Sequence, residues 1–216
     1  ETTKKAITNR TLILPSLVIL LPMYFGPALW SRLPERMPTH FNFSGEVDGY
    51  SGRPFAVIGL PLFILAMQLF CAVMLRADPK KQNISEKLVR LTLWLCPAVS
   101  LFVGISMYLS ALGFAINVSR LGMVFVGLIF IVIGNYLPKC RHNYTVGIRL
   151  PWTLDDEDNW NHTHRFAGYV WIIAGVVTLL SVFLGHAAVV WVAAIFVASL
   201  SPLVYSFVYA KRHGKI

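Results

Sequence analysis

Along the whole chain, apolar residues come in blocks about as long as a bilayer is thick, separated by polar intervals. Blocks at 11–30, 55–75, 91–114, 121–137, 166–184 and 187–209 come close to the roughly 20 residues, rising about 1.5 Å each, that cross about 30 Å of hydrocarbon. None alternates with a period of two, so the pattern predicts helices that satisfy their own backbones and excludes a barrel. The expected fold is all-α: a polytopic integral membrane protein of six transmembrane helices. The first block follows basic residues, as a signal peptide would. It lacks a small-residue cleavage site and contains Pro15, Pro22 and Pro27, so it reads as a kinked span.

The polar intervals divide by charge. Lys4, Lys5 and Arg10 precede the first span, and Arg76, Lys80, Lys81, Lys87 and Arg90 separate the second from the third. Lys139, Arg141, Arg149 and Arg165 follow the fourth, and Lys211, Arg212 and Lys215 close the chain. Only Arg32, Arg36, Arg53 and Arg120 fall in the alternate intervals. The positive-inside rule then puts both termini in the cytoplasm, the 31–54 loop outside and the 139–168 segment inside. The expected division is a two-span unit, 1–90, carrying the outer loop, and a four-span unit, 91–216, carrying the inner segment.

Composition sharpens this picture. The chain is 56% hydrophobic and 13% charged, outside the globular range of about 45–50% and about 25%. The net charge of +9 reads as topology and attraction to the lipid bilayer. No nucleic-acid partner is indicated, because no basic patch interleaves with stacking aromatics. Cys71, Cys96 and Cys140 all fall toward the inner side without a CxxC, so neither disulfides nor a cysteine-rich metal site is expected. Gln68 and Asn135, amides inside spans, are expected to make interhelical hydrogen bonds.

Two polar intervals are richer than linkers need to be. The outer loop contains Pro34, Pro38, Gly45, Gly49 and Gly52 with Asn42, Ser44 and Asp48 between them, which predicts an ordered hairpin turning at Gly45. His40, Asn42, Glu46 and Asp48 are its candidate ligand groups; the simpler reading, that Asn42 and Asp48 hold turns while His40 packs at the headgroup level, is favoured, and a lone histidine is weak ground for a metal. The inner segment, 143–168, opens with an extended stretch, Asn143 to Arg149, and Pro151 then keeps Leu150 out of the helical region. Thr153 is the expected N-cap of a helix running into the fifth span, with Asp156 in the capping-box position. Asp155, Asp156, Glu157 and Asp158 suit the positive end of that helix dipole. Trp160 and His164 share one face and Asn161 and Arg165 another. Trp152 and Trp160 sit where interfacial aromatics would, and Arg149 is within reach of the acidic turn. His162 and His164, two apart, point away from each other, unlike a helical zinc pair, and no cofactor is expected.

At these residues the chain resembles the SdpI immunity family of bacterial membrane proteins. The likeness lies in Asn143, Gly147, Ile148, Arg149, Pro151, Trp152, Thr153, Leu154, Trp160, Thr163, His164, Arg165 and Gly168. Pro38, His40, Asn42, Gly45, Asp48 and Gly49 resemble the companion domain of unknown function found at the N-terminus of that family. The resemblance implies a protein of the bacterial cytoplasmic (inner) membrane that protects against a secreted, membrane-active killing peptide. In the best-known member it also implies capture of a cytosolic repressor protein. On this reading the inner motif binds a partner, the outer loop meets the toxin, and no residue is catalytic. Two other classes remain open: a membrane enzyme acting on lipid or peptide through His164 or His40, and a transporter of small molecules or peptides.

Overall fold

The computed structural model describes residues 9–183 and 187–215. Lys4 and Lys5 of the basic tail, and residues 184–186 between the fifth and sixth spans, lie outside the described residues. Within them, six helices are long and apolar enough to cross a membrane: Thr11–Arg32, Phe55–Ala77, Glu86–Ala111, Val118–Lys139, Glu157–Ser181 and Ala187–Arg212. Phe63, Phe70, Ile173, Phe196 and Val204 project outward from them, an exposed apolar surface that hydrocarbon tolerates and water does not. The chain is a multi-pass membrane protein, all-α apart from one two-stranded hairpin.

It forms two compact units, one comprising Glu1–Ala77 with Val89–Ser119 and the other Asp78–Leu88 with Arg120–Ile216. The first contains α1 (Asn9–Leu29), the strands β1 (Arg36–Phe41) and β2 (Val47–Gly52), α2 (Leu60–Ala77) and most of α3 (Glu86–Ala111). The third span, grouped by sequence with the C-terminal four, packs here. Ser100 donates its hydroxyl to the Ile19 carbonyl at 2.7 Å, and Tyr108 donates to that of Pro22 at 2.7 Å. A Cβ on Gly104 would lie 2.6 Å from Pro22, so the small residues of α3 serve close packing. Pro61 lies at the start of α2, after a π-turn at Phe55–Gly59. Gln68 departs from expectation. It lies on the buried stripe Pro61, Ile64, Gln68, Ala72 and Leu75, and neither its amide nitrogen nor its oxygen has a partner among the described residues.

The hairpin forms as the turn chemistry predicts. Gly45 adopts φ +88°, which a side chain would resist, and the Asn42 side-chain oxygen accepts the backbone N–H groups of Ser44 at 3.0 Å and Glu46 at 2.9 Å. At its base Arg53 donates to the carbonyls of Trp30 and Leu33, at 2.8 and 2.9 Å, and stacks on the Trp30 ring.

The second unit contains most of α4 (Val118–Tyr136), a short turn α5 (Pro151–Leu154), α6 (Glu157–Ser181) and α7 (Ala187–Arg212). Helices α4 and α6 meet backbone to backbone at two glycine pairs seven residues apart on each helix, Gly127 with Gly175 and Gly134 with Gly168. The opposite order makes them antiparallel. An added Cβ on Gly175 would stand 2.6 Å from the Gly127 carbonyl oxygen, and one on Gly168 would stand 2.8 Å from that of Gly134. Helices α6 and α7 join through Ala174, Ala194 and Ala198, with the Trp171 indole N–H donating to the Ala198 carbonyl at 3.0 Å. Asn135 is exposed and accepts from Lys139 on the following turn at 3.3 Å, and among the described residues it has no interhelical partner.

Candidate functional site

The 140–150 segment does not run as an extended stretch; it forms a series of bends organised around Asn143. That side chain is fully buried. Its oxygen accepts the N–H groups of Thr145 (2.9 Å) and Val146 (2.7 Å), while its nitrogen donates to the Arg141 carbonyl (2.8 Å) and the Cys140 sulfur (3.4 Å). One amide thus replaces the ladder that a strand would have supplied. Cys140 is buried beneath the bend, its thiol directed at the Val146 carbonyl, and burial pushes its pKa up to about 11 against the lowering bond from Asn143.

His164 ties this loop to α6. Its Nδ1–H donates to the Trp160 carbonyl at 2.7 Å, and its Nε2 accepts the Ile148 backbone N–H at 2.9 Å. Since Ile148 can only donate, Nε2 holds a lone pair and the ring is the neutral Nδ1–H tautomer. The imidazole stacks on the indole of Trp160, ring centroids 4.0 Å apart, as their shared helical face predicts. Gly147, at φ +121°, lies against the His164 ring and 3.0 Å (measured from a hypothetical Cβ) from the Trp160 indole. Trp160 is fully buried, contrary to its reading as an interfacial anchor; the loop folds over it, and its N–H donates to the Cys140 carbonyl at 2.8 Å.

The helix start also differs from expectation. Thr153 does not cap the fifth span but closes the short turn α5, its hydroxyl oxygen accepting the Leu150 N–H and its proton directed to the Ile148 carbonyl, each at 2.9 Å. Asp156 caps α6, accepting the Asp158 N–H at 3.3 Å. Both residues belong to one polar run, and spacing alone did not separate two successive caps. Trp152 is half-buried: its N–H reaches the Ser206 hydroxyl on α7 at 3.0 Å, and its ring meets Phe207 edge-on. Thr163 donates to the Asn159 side-chain oxygen at 2.9 Å, and the Asn159 amide donates to the Ser206 carbonyl at 3.0 Å.

The motif therefore divides in two. Asn143, Gly147, Thr153, Trp160, Thr163 and His164 are an internal frame, whereas Arg149, Pro151 and Arg165 are exposed. Arg149, Trp152 and His164 do not converge on one pocket. Arg149 does not reach the acidic turn either; its guanidinium donates to the Tyr144 carbonyl at 2.8 Å, curling back along its own loop.

Sequence reasoning missed the other side of the frame. Asp78, 3% exposed, accepts the Lys80 N–H (2.7 Å), the Tyr144 N–H (2.9 Å) and the Thr145 hydroxyl (2.6 Å). Lys80 donates to Nδ1 of the buried His142 at 2.9 Å, and Asn83 donates to the His142 carbonyl at 2.7 Å. The signal available was an acid beside a proline in a basic interval.

On the hairpin, His40 Nδ1 and Asp48 pair at 2.5 Å with both side chains exposed, Asn42 and Glu46 interact at the tip at 3.3 Å, and Pro38 is buried opposite Tyr50. His40 is exposed rather than packed. Among the described residues no three His, Cys, Asp or Glu side chains group as metal ligands.

Residues 139–209, which contain the whole α5–α6 part of the frame, match the SdpI/YfhL protein family. Residues 17–65, including the hairpin, match a domain of unknown function, DUF1648. Over 206 residues the chain is 25% identical to Immunity protein SdpI of Bacillus subtilis (strain 168), an alignment covering 93% of this chain and 96% of that protein. No solved structure matches it. Within the SdpI/YfhL region, His164 has both ring nitrogens committed to backbone groups, and the Cys140 thiol stays protonated near neutral pH. This arrangement holds a surface in shape; it leaves His164 no free lone pair for proton transfer.

Proposed function

We propose that this chain is an immunity protein of the bacterial cytoplasmic membrane. It protects its cell against a secreted, membrane-active killing peptide, with both termini and the SdpI/YfhL motif in the cytosol and the hairpin outside. The observation that carries the reading is the division of the motif. A frame of buried, mutually bonded side chains supports a face whose exposed members are Arg149 on the loop, Pro151 at the start of α5 and Arg165 on α6. A loop held by this many side-chain bonds is a pre-organised binding face, which lowers the ordering cost of meeting a partner. The basic-residue distribution supports the cytosolic side, and the full-length likeness to an immunity protein supports the role.

The partner on the inner face is a cytosolic protein, a repressor by analogy with the family, met by the two arginines. The peptide is met outside by the hairpin, where His40, Asp48, Asn42 and Tyr50 are the groups on offer. Transmission between faces requires two packings of differing peptide affinity. The test is survival of sensitive bacteria expressing the chain in medium conditioned by a peptide-secreting Bacillus culture. Arg149→Ala and His164→Ala, matched for membrane abundance, should each lose protection. Full protection from both would remove the motif from the mechanism.

A further inference from the structure

We infer that Asp78 is a positioning residue for Arg149, acting through Tyr144; the inference rests on the reading above that the 140–150 loop is a working face. Three interactions converge on Tyr144. Its N–H is held by the Asp78 carboxylate at 2.9 Å, its carbonyl receives the Arg149 guanidinium at 2.8 Å, and its ring lies 5.6 Å from the Lys80 ammonium. The same Asp78 oxygen that holds the Tyr144 N–H accepts the Thr145 hydroxyl, so Asp78 grips the residues on both sides of the 144–145 peptide, whose own N–H is held by the Asn143 oxygen at 2.9 Å. An exposed arginine on a loop samples many rotamers. Here its anchor is the carbonyl of a peptide whose two flanking residues are held by a buried carboxylate.

Solvation points the same way. A buried carboxylate is tolerated only where donors satisfy it. Asp78 has three, two of them from the loop at 144–145, sixty-six and sixty-seven positions away in sequence. Lys80 extends the grip. An ammonium can only donate, so its bond to His142 Nδ1 puts the lone pair there and the ring proton on Nε2, with the ring beside Trp160 at 5.1 Å between centroids. The 78–83 segment thus fixes one flank of the loop as His164 fixes the other. If it were merely a connector between spans, its acid would face water.

The experiment uses the full chain in cell membranes, with Cys71→Ser and Cys96→Ser leaving Cys140 as its one thiol. Asp78→Asn, Asp78→Ala, Thr145→Val and Arg149→Ala are compared with the parent for maleimide labelling of Cys140 and for survival in conditioned medium. Asp78→Ala should speed labelling at least tenfold and abolish survival as Arg149→Ala does, with Asp78→Asn intermediate. Arg149→Ala should abolish survival without opening Cys140. The inference is overturned if Asp78→Ala labels at the parent rate. It is equally overturned if labelling speeds up while survival matches the parent and Arg149→Ala alone loses it. Should Arg149→Ala survive normally, the functional reading falls, and the labelling rate still decides whether Asp78 holds the loop. Should Asp78→Ala fail to accumulate, Thr145→Val and Lys80→Met carry the same two readouts.

Discussion

Gly147 lies against the imidazole of His164 so closely that no methyl group fits between them. Its φ of +121° is also one that L side chains rarely adopt, so two separate physical reasons require glycine there. Gly147→Ala should therefore strain the backbone and push the loop off His164, costing upwards of about 2 kcal/mol. In detergent the thermal midpoint should fall by several degrees and protection should be lost. An unchanged midpoint would mean that the loop does not rest on His164.

His164 contributes stacking and a hydrogen-bond acceptor, and two substitutions separate them. His164→Phe keeps a ring over Trp160 but leaves the Ile148 N–H unpaired, a loss of about 1–3 kcal/mol. His164→Ala removes both and adds a cavity, for about 2–5 kcal/mol in total. If His164→Phe proved as stable as the parent, the Ile148 bond would not be holding the loop.

The spans were readable because hydrocarbon thickness fixes run length, and the hairpin because Gly45 and Asn42 supply the only local solution to that turn. The Trp160–His164 stack followed from helical spacing. Three other features were not legible. Trp160 as anchor and Trp160 as core have identical flanking sequence, and the difference is a loop that folds over it from residues 140–148. The Asp78 and Lys80 contacts join positions sixty or more apart, which a single sequence leaves unlinked. Asn159 and Ser206 read as an ordinary polar helix residue and an ordinary small residue in a span, yet together they bind α6 to α7.

Cys140 supplies a pH prediction. Burial raises its pKa from the ordinary thiol value to about 11, so the folded state holds the proton more tightly than the unfolded one. Stability from this group is complete below about pH 9 and is lost as pH rises toward about 11, because unfolding then releases a proton. The same shift leaves about a hundredfold less thiolate at pH 8, with nucleophilic attack slowed accordingly. Alkylation of native Cys140 should be about two orders of magnitude slower than after unfolding in detergent. Equal rates would show that the thiol is open.

The glycine pairs between α4 and α6 set a packing limit. Gly134→Val and Gly168→Val would each place side-chain atoms on the facing backbone, where 2.9 and 2.8 Å are the nearest backbone contacts for a bare Cβ. Overpacking of this kind costs about 1–3 kcal/mol, or more where backbone must move. Each variant should lower the thermal midpoint, whereas Ile173→Val, on the exposed side of α6, should not. A neutral Gly168→Val would refute the close approach.

The division of roles across the membrane can be read directly with two engineered thiols. Ser44 is exposed at the hairpin tip and Arg141 is exposed at the edge of the frame, and neither side chain supports a neighbour in the contacts described above. In intact cells a membrane-impermeant maleimide should label Ser44→Cys and spare Arg141→Cys, and lysis should make both reactive. The charge distribution demands this order, because placing the four-arginine side inside would require the basic-rich intervals to cross against the positive-inside bias. Labelling of Arg141→Cys in intact cells, with Ser44→Cys protected, would invert the topology. The hairpin would then face the cytosol and the Arg149 loop the medium, so that each face would have to be assigned the other's partner.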